Sequence, residues 1–311
     1  MSSTLKIGIA VVTYNGGEIW EKAAQAIHLN CQPGTDVVVV DSQSKDNTQA
    51  VAQQYGFIVH EIQQHDFNHG GTRNLAMDIF HDKDYVIFLT QDAILETRNS
   101  VATLINFMVE NDLCAAYGKQ LPHIDANPIA AHAREFNYGC ESLINQLDCI
   151  PIRGIKTAFM SNSFSAYKVD DFQRIGGFPT DTILCEDMFF AAKAIQHNLK
   201  TGYCSEAAVR HSHNYSIIEE YKRYFDIGVF HQDEPWIQKK FNAVSSEGNR
   251  FIKSEVIYLM RHNPLLIIKA FMNNVAKLIG YKIGLRYKNL PLSVIKKMSM
   301  HRNYWKNSYN R

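Results

Sequence analysis

What the sequence lacks narrows it first. Its six cysteines, at positions 31, 114, 140, 149, 185 and 204, show neither CxxC spacing nor the density of a disulfide scaffold. That leaves out a cysteine-held zinc site and a secreted, disulfide-framed domain, and points to a reducing cytosol. No apolar run reaches the roughly 20 residues that a spanning helix needs. The N-terminus runs from Met1 to Lys6 straight into strand-like residues, with no basic, apolar and cleavage regions in sequence, so no signal peptide is expected. GxGxxG is missing, as is GxxxxGK followed by Ser or Thr, which excludes a nicotinamide enzyme with the usual fingerprint and a P-loop nucleotidase. Acids are nearly absent from one stretch: residues 250–311 hold 13 Lys and Arg against Glu255 alone, a balance of +12 within a chain of net charge +1. An acidic body with a basic tail suits a polyanionic surface, either nucleic acid or an anionic membrane.

What remains is ordinary globular material, 311 residues that are 46% hydrophobic, enough for one large domain or a domain with an appendage. The most informative stretch is 84–94. Tyr85 to Leu89 is an apolar run of strand length that stops at Thr90-Gln91-Asp92, so a buried strand delivers a carboxylate to its own carboxyl end. Residues 5–12 and 36–40 are two more such strands. The first breaks on Thr13-Tyr14-Asn15-Gly16-Gly17, the second on Asp41-Ser42 with Ser44 and Asp46 close behind, and each is followed by a helical pattern. A short third strand covers 57–60. Strands alternating with helices predict an α/β fold with a mostly parallel sheet whose polar loops gather at one edge, where such sheets bind ligands. Asp41 is then a candidate acceptor for a base or ribose donor. Between strands three and four, His69-Gly70-Gly71-Thr72-Arg73-Asn74 precedes a helix expected over 75–80; paired glycines, a helix N-terminus and Arg73 together suit an anion such as a pyrophosphate.

These motifs resemble the family-2 glycosyltransferases of the GT-A fold over about residues 5–250. The His-Gly-Gly-Thr-Arg-Asn and Gln91-Asp92-Ala93 forms are similar to those of bacterial rhamnosyltransferases that build O-antigen and related polysaccharides. The resemblance implies a nucleotide-sugar site formed by Thr13, Tyr14, Asn15, Asp41, Ser42, Gly70, Gly71, Arg73, Gln91 and Asp92. Where many members carry Asp-x-Asp, this chain has Gln91-Asp92-Ala93, so one carboxylate remains for the Mg²⁺ or Mn²⁺ that the family uses.

Further along, a helix is expected over 97–112 and a strand over 115–119, while 120–158, with His123, His132 and Arg134, shows no clear period. Residues 161–168 read as a strand. Gly176-Gly177-Phe178-Pro179 then stops a helical turn, and Glu186-Asp187 opens a helix to about His197. The resemblance makes Asp187 the catalytic base, a role that needs burial to offset the helix dipole. His211 and His213 are spaced to share one face of a strand, and the resemblance places a metal-binding histidine here, His213 before His211. Beyond Phe251, apolar residues at helical spacing flanked by Lys269, Lys277 and Lys282 predict two basic amphipathic helices, lying on a membrane or packed on a partner.

The expected whole is a GT-A domain over 1–249, its nucleotide-binding half about 1–119 and its acceptor half about 120–249, followed by a helical appendage over 250–311. The expected activity is inverting transfer of L-rhamnose from dTDP-L-rhamnose to a hydroxyl of a lipid-linked glycan, in the cytoplasm at the inner face of the plasma membrane. Another nucleotide-sugar donor is the alternative. A nucleic-acid-binding protein would use the tail but leave Asp41, Asp92 and Asp187 without a task.

Overall fold

The computed structural model describes residues 5–32, 34–242 and 247–307; the last four residues of the predicted appendage lie outside it. The first units are β1 (Ile7–Thr13), α1 (Gly17–Asn30), β2 (Asp36–Asp41), α2 (Thr48–Gln54), β3 (Ile58–Glu61), α3 (His69–Ile79) and β4 (Tyr85–Thr90). Alternate residues of these strands enter different cores. Ile9, Val11, Ile87 and Leu89 pack beneath α1, whereas Ala10, Val38, Val86 and Phe88 pack on the other face with Met77 and Phe80 of the α3 region. Because both faces are covered, the strands read as continuous apolar runs.

The chain continues with β5 (Ile94–Leu95), α4 (Ser100–Asn111), β6 (Ala115–Leu121), α5 (Pro128–Asn137), β7 (Leu143–Asn145), α6 (Ile150–Arg153), β8 (Phe164–Lys168), α7 (Val169–Arg174), α8 (Glu186–Gln196) and β9 (Thr201–Arg210). Among the described residues one sheet runs β3-β2-β1-β4-β8-β6-β9-β5, with β7 beside β9. The sheet is parallel from β3 to β4, then β8 lies antiparallel to β4, with Leu89 opposite Phe164. Because β6 is antiparallel to β8, and β9 parallel to β6, the carboxyl ends of β1, β2, β4, β6 and β9 all face the edge where β8 begins. That edge positions the site.

Two boundaries depart from expectation. The strand expected over 161–168 begins only at Phe164, because Ser161-Asn162-Ser163 turns away to meet α8. The helix expected after the paired glycines starts before them: Asn68 caps α3, its side chain accepting from the Gly71 N–H at 2.5 Å, so Gly70 and Gly71 lie in the first turn. The unpatterned stretch 120–158 becomes α5, β7 and short helical turns.

The remaining helices are α9 (Ile217–Asp233), α10 (Pro235–Phe241), α11 (Glu247–His262), α12 (Leu266–Gly284), α13 (Leu292–Met298) and α14 (Tyr304–Asn307). A capping box at Ser216 and Glu219 opens α9. Helices α9 and α12 meet backbone to backbone: a Cβ built on Gly280 would lie 2.3 Å from the Tyr221 carbonyl, and one on Gly284 2.1 Å from that of Phe225. A third core joins Ala192 and Ile195 of α8 to Phe225 and Val229 of α9, Ile295 of α13 and Trp305. Among the described residues no helix is long and apolar enough to cross a membrane.

Candidate active site

Three loops at the carboxyl edge are stitched to one another. Thr13 Oγ1 donates to Asp41 Oδ2 at 2.8 Å, the Tyr14 N–H donates to Gln91 Oε1 at 2.7 Å, and the Asn15 N–H donates to Ser44 Oγ at 2.8 Å. Asn15 holds a positive φ of 46° to make this turn. Asp41 is fully buried, and its oxygens accept from Thr13, from the Ser44 N–H and Oγ, and from the Gln49 amide. Four donors fill a carboxylate's acceptor capacity. In this arrangement Asp41 ties the loop together, and a base or ribose donor would reach it by replacing one of these four. Tyr14 is 40% exposed, and among the described residues the buried Ser42 Oγ has no partner.

At the expected anion cradle, Gly70, Gly71 and Arg73 all have partners within the chain. A Cβ on Gly70 would lie 1.8 Å from the Pro179 carbonyl, so the close approach this glycine permits is taken by the chain itself. Asn68 occupies the Gly71 N–H. The Arg73 guanidinium is buried, donates to the His69 carbonyl and pairs with Glu186 at 3.1 Å. Arg73 still lines the cavity, but its charge is balanced by Glu186.

Asp92 lies where β5 joins β9. Ile94 pairs with Arg210, so the residue two before β5 meets the residues just past β9. Its Oδ1 is 3.5 Å from His211 Nε2 and its Oδ2 3.7 Å from His213 Nε2, and one ligand atom from each of the three residues lies within 4.8 Å of the others. Both histidines reach the carboxylate, the buried His211 as well as the favoured His213. Burial alone would push the Asp92 carboxyl up, yet its contact with His211 and the charges of His211 and His213 hold it well below the usual carboxylate range. Burial, with His211 adding, lowers His213 to about 4. An anionic carboxylate and a neutral imidazole are the states in which these groups bind a divalent metal.

The ring of His211 is oriented by a neighbour that the sequence did not single out. Gln120 Oε1 accepts from Arg134 Nη1 at 2.9 Å and meets His211 Nδ1 at 2.9 Å. Arg has only donors, so the atom facing it is the amide oxygen, and His211 Nδ1 must carry a proton to share it. His211 Nε2 is then left free to accept, facing the Asp92 carboxylate at 3.5 Å, an arrangement that a divalent cation between them would satisfy. The donor set thus fits a divalent cation, with the outer partner that metal-binding histidines need.

Gln120 Nε2 also donates to Ser161 Oγ at 2.8 Å, linking this cluster to the acid pair. Asn162 Oδ1 accepts from Ser165 Oγ and Tyr167 Oη, which leaves its Nδ2 to donate to Glu186 Oε1 at 2.8 Å. Its N–H donates to Asp187 Oδ2 at 3.0 Å, and the Met188 N–H donates to Oδ1 at 2.8 Å. Cys185, at a left-handed φ of 61°, sets the entry to α8 just before the pair. The two neighbouring acids diverge sharply. Burial and the adjacent Glu186 charge push Asp187 up to about 7, against those two N–H donors and Arg73. Burial would raise Glu186 as well, but Arg73, His69 and Asn162 together keep it below its ordinary value. One member is a fixed anion and the other a group able to exchange a proton near neutral pH.

Both clusters open on one cavity of about 530 Å³. Its walls include Arg134, Asn162, Glu186, Asp187, His211 and His213, and also Lys269, Asn273 and Lys277 of α12 and His301 beyond α13. The residues from the last sixty had no signal of their own in the sequence beyond their charge.

Residues 8–176 match the family described as Glycosyl transferase family 2. The chain is 46% identical over 300 residues to "O-antigen chain rhamnosyltransferase WbaN" of Salmonella anatum, covering 96% of this chain and 95% of that one. It is 47% identical over 304 residues to "O-antigen chain rhamnosyltransferase RfbN" of Salmonella typhimurium, covering 97% of each. Among solved structures, a Pyrobaculum calidifontis mannosyltransferase in complex with GDP-Man and Mn²⁺ superposes with a TM-score of 0.57 at 15% identity, over 99% of this chain and 87% of that one. S. aureus TarS in complex with UDP-GlcNAc gives 0.55 at 15% identity, over 91% of each.

Proposed function

The chain belongs to glycosyl transferase family 2, and from that premise we propose that it transfers L-rhamnose from dTDP-L-rhamnose to a hydroxyl of a lipid-linked glycan in O-antigen synthesis, with inversion at the anomeric carbon. The kind of transfer follows the two relatives named O-antigen chain rhamnosyltransferases. The observation that carries the mechanism is the divergence of Glu186 and Asp187 within one cavity wall.

In this reading the nucleotide lies along the Thr13–Asn15, Asp41–Ser42 and Gln91–Asp92 loops, with the Tyr14 ring as a surface for the base. Asp92, His211 and His213 would hold Mg²⁺ or Mn²⁺, which supplies positive charge to a diphosphate leaving group. Asp187 takes the proton of the acceptor hydroxyl as its oxygen bonds to the anomeric carbon and the bond to the diphosphate breaks. Glu186, locked by Arg73 and Asn162, keeps Asp187 basic enough for that step. The C-terminal helices seat the enzyme peripherally on an anionic membrane that presents the acceptor.

The test is dTDP release from dTDP-L-rhamnose by purified protein with Mg²⁺, with and without a lipid-linked glycan acceptor. Acceptor-dependent release with transfer of the sugar is the expected result. Equal release without acceptor would make the protein a hydrolase, and turnover of a different nucleotide-sugar alone would overturn the donor assignment.

A further inference from the structure

Helix α12 is amphipathic in the reverse sense. Small and polar residues face inward: Ala270, Asn273, Ala276, Gly280 and Gly284 are buried. Its outward side is apolar, with Ile268 and Phe271 77% and 64% exposed and Leu265, just before the helix, 87% exposed. Met260 of the adjoining α11 is exposed as well. In water such a face costs free energy on the order of 25 cal/mol per Å² of apolar surface. Exposed Lys253, Arg261 and Lys282 lie among these residues, so the solvent this face suits is an anionic bilayer interface.

The inward side carries a row. Lys269, Asn273 and Lys277 recur every four residues, stack along one stripe of the helix and all line the catalytic cavity. Their situations differ. Lys277 is paired with Glu220 at 3.2 Å, whereas Lys269 enters no ion pair among the described residues. Asn273 is 2% exposed, and among the described residues its Oδ1 has no hydrogen-bond partner. A buried amide oxygen left unpaired at a cavity wall is costly unless a donor there completes it. By helical spacing Lys269 adjoins Leu265 and Met272, so it stands at the border between the cavity and the apolar outer face.

We propose that Lys269 and Asn273 form the site for the junction between phosphate and first sugar of a lipid-linked acceptor, with the lipid leaving across Leu265 and Ile268 into an anionic bilayer. This rests on the acceptor class given above and adds where that acceptor is held. The Lys269 ammonium meets the phosphate oxygens. The Asn273 amide donates to one of them and accepts from a sugar hydroxyl. α12 then acts as a partition, lipid on one side and reacting groups on the other.

The experiment is calorimetric titration of the full chain with farnesyl diphosphate, a soluble isoprenoid diphosphate, against farnesol as the uncharged control. The wild type is expected to bind the diphosphate more tightly. Lys269→Ala should weaken that binding about tenfold or more while leaving farnesol unchanged, and Asn273→Asp should weaken it through charge repulsion. Flotation on vesicles of phosphatidylglycerol and phosphatidylcholine should survive Lys269→Ala and fall in Phe271→Asp. An unchanged Kd in Lys269→Ala, or a loss caused by Asp92→Asn instead, would overturn the site, the latter by assigning the anion to the donor loops. Absence of rhamnosyl transfer in the separate turnover assay would remove the proposed function without altering this binding result.

Discussion

At the scale of single residues, two neighbouring carboxyl groups behave differently because only one has a cation beside it. Glu186 has Arg73; Asp187 has burial and the Glu186 charge, and sits near 7. If Asp187 is the base, its deprotonated form is needed, so kcat should rise with pH through about 7 and level off above it. Asp187→Asn should abolish that limb and lower kcat by about 10²–10⁴-fold, with donor binding nearly unchanged; a normal kcat in this variant would end the mechanism. Glu186→Gln removes the charge that raises Asp187, so the surviving limb should move to lower pH. It also leaves Arg73 buried without its partner, at a cost of about 3–5 kcal/mol, which a melting curve would register. Gln120→Leu tests the proposed cation site without touching a proposed ligand: Mn²⁺ affinity, followed by paramagnetic resonance, should drop about 10–100-fold, and an unchanged affinity would mean that His211 needs no such support. Asp92 was legible in the sequence because it lies just beyond a strand, where chain direction alone aims a side chain. His213 and Asp187 were singled out by the family resemblance, a histidine pair and a helix-opening acid pair having no such signal of their own. Gln120 and Asn162 were legible by neither route. Their parts depend on partners such as Arg134, His211 and Glu186 that only the closed sheet brings near.

At the scale of elements, periodicity carried the reading wherever one period held. The strands ending on Thr13, Asp41 and Thr90 fall within a residue or two of expectation, since runs buried on both faces have no polar interruption to blur them. It failed where a side chain decided the boundary, as when Asn68 starts α3 early and Asn162 delays β8. Glycine told less than it seemed to. Gly70 looked like room for a ligand and is room for Pro179, while Gly280 and Gly284, inside a helical pattern, mark a seam where α12 and α9 touch through their backbones. Gly284→Ala should therefore destabilise the fold by about 1–3 kcal/mol through overpacking, seen as a lower denaturation midpoint. An unaltered midpoint would mean that the two helices separate freely.

The whole molecule divides its charge along the chain, and six of the tail's 13 basic residues, Arg250, Lys253, Arg261, Lys269, Lys277 and Lys282, lie on α11 and α12, the helices that carry the outward apolar face. Binding to anionic vesicles should consequently weaken as salt rises from about 0.05 to 0.5 M, because screening shortens the reach of those lysines; equal recovery on neutral and anionic vesicles would leave the apolar face alone to explain attachment. Sequence reading separated body from tail along the chain. It could not foresee that the tail's inner side would wall the cavity, because Lys269 and Asn273 gain that place only as α12 packs against α9, α5 and α11, and His301 only by meeting His69 of α3.

The strand β4 has one further consequence, in the order of events as the chain folds. On one side it joins strands close in sequence through short crossovers; on the other it waits for Phe164–Lys168. Loop closure favours the near pairings, so the half holding Asp92 is expected to form before the strand leading to His211 and His213 docks. Asp92 meets His211 and His213, the three proposed cation ligands, only with the last strand. Mn²⁺ present during refolding should then leave the early phase unaltered and slow only the unfolding of the finished protein, a ligand that recognises completion and takes no part in reaching it.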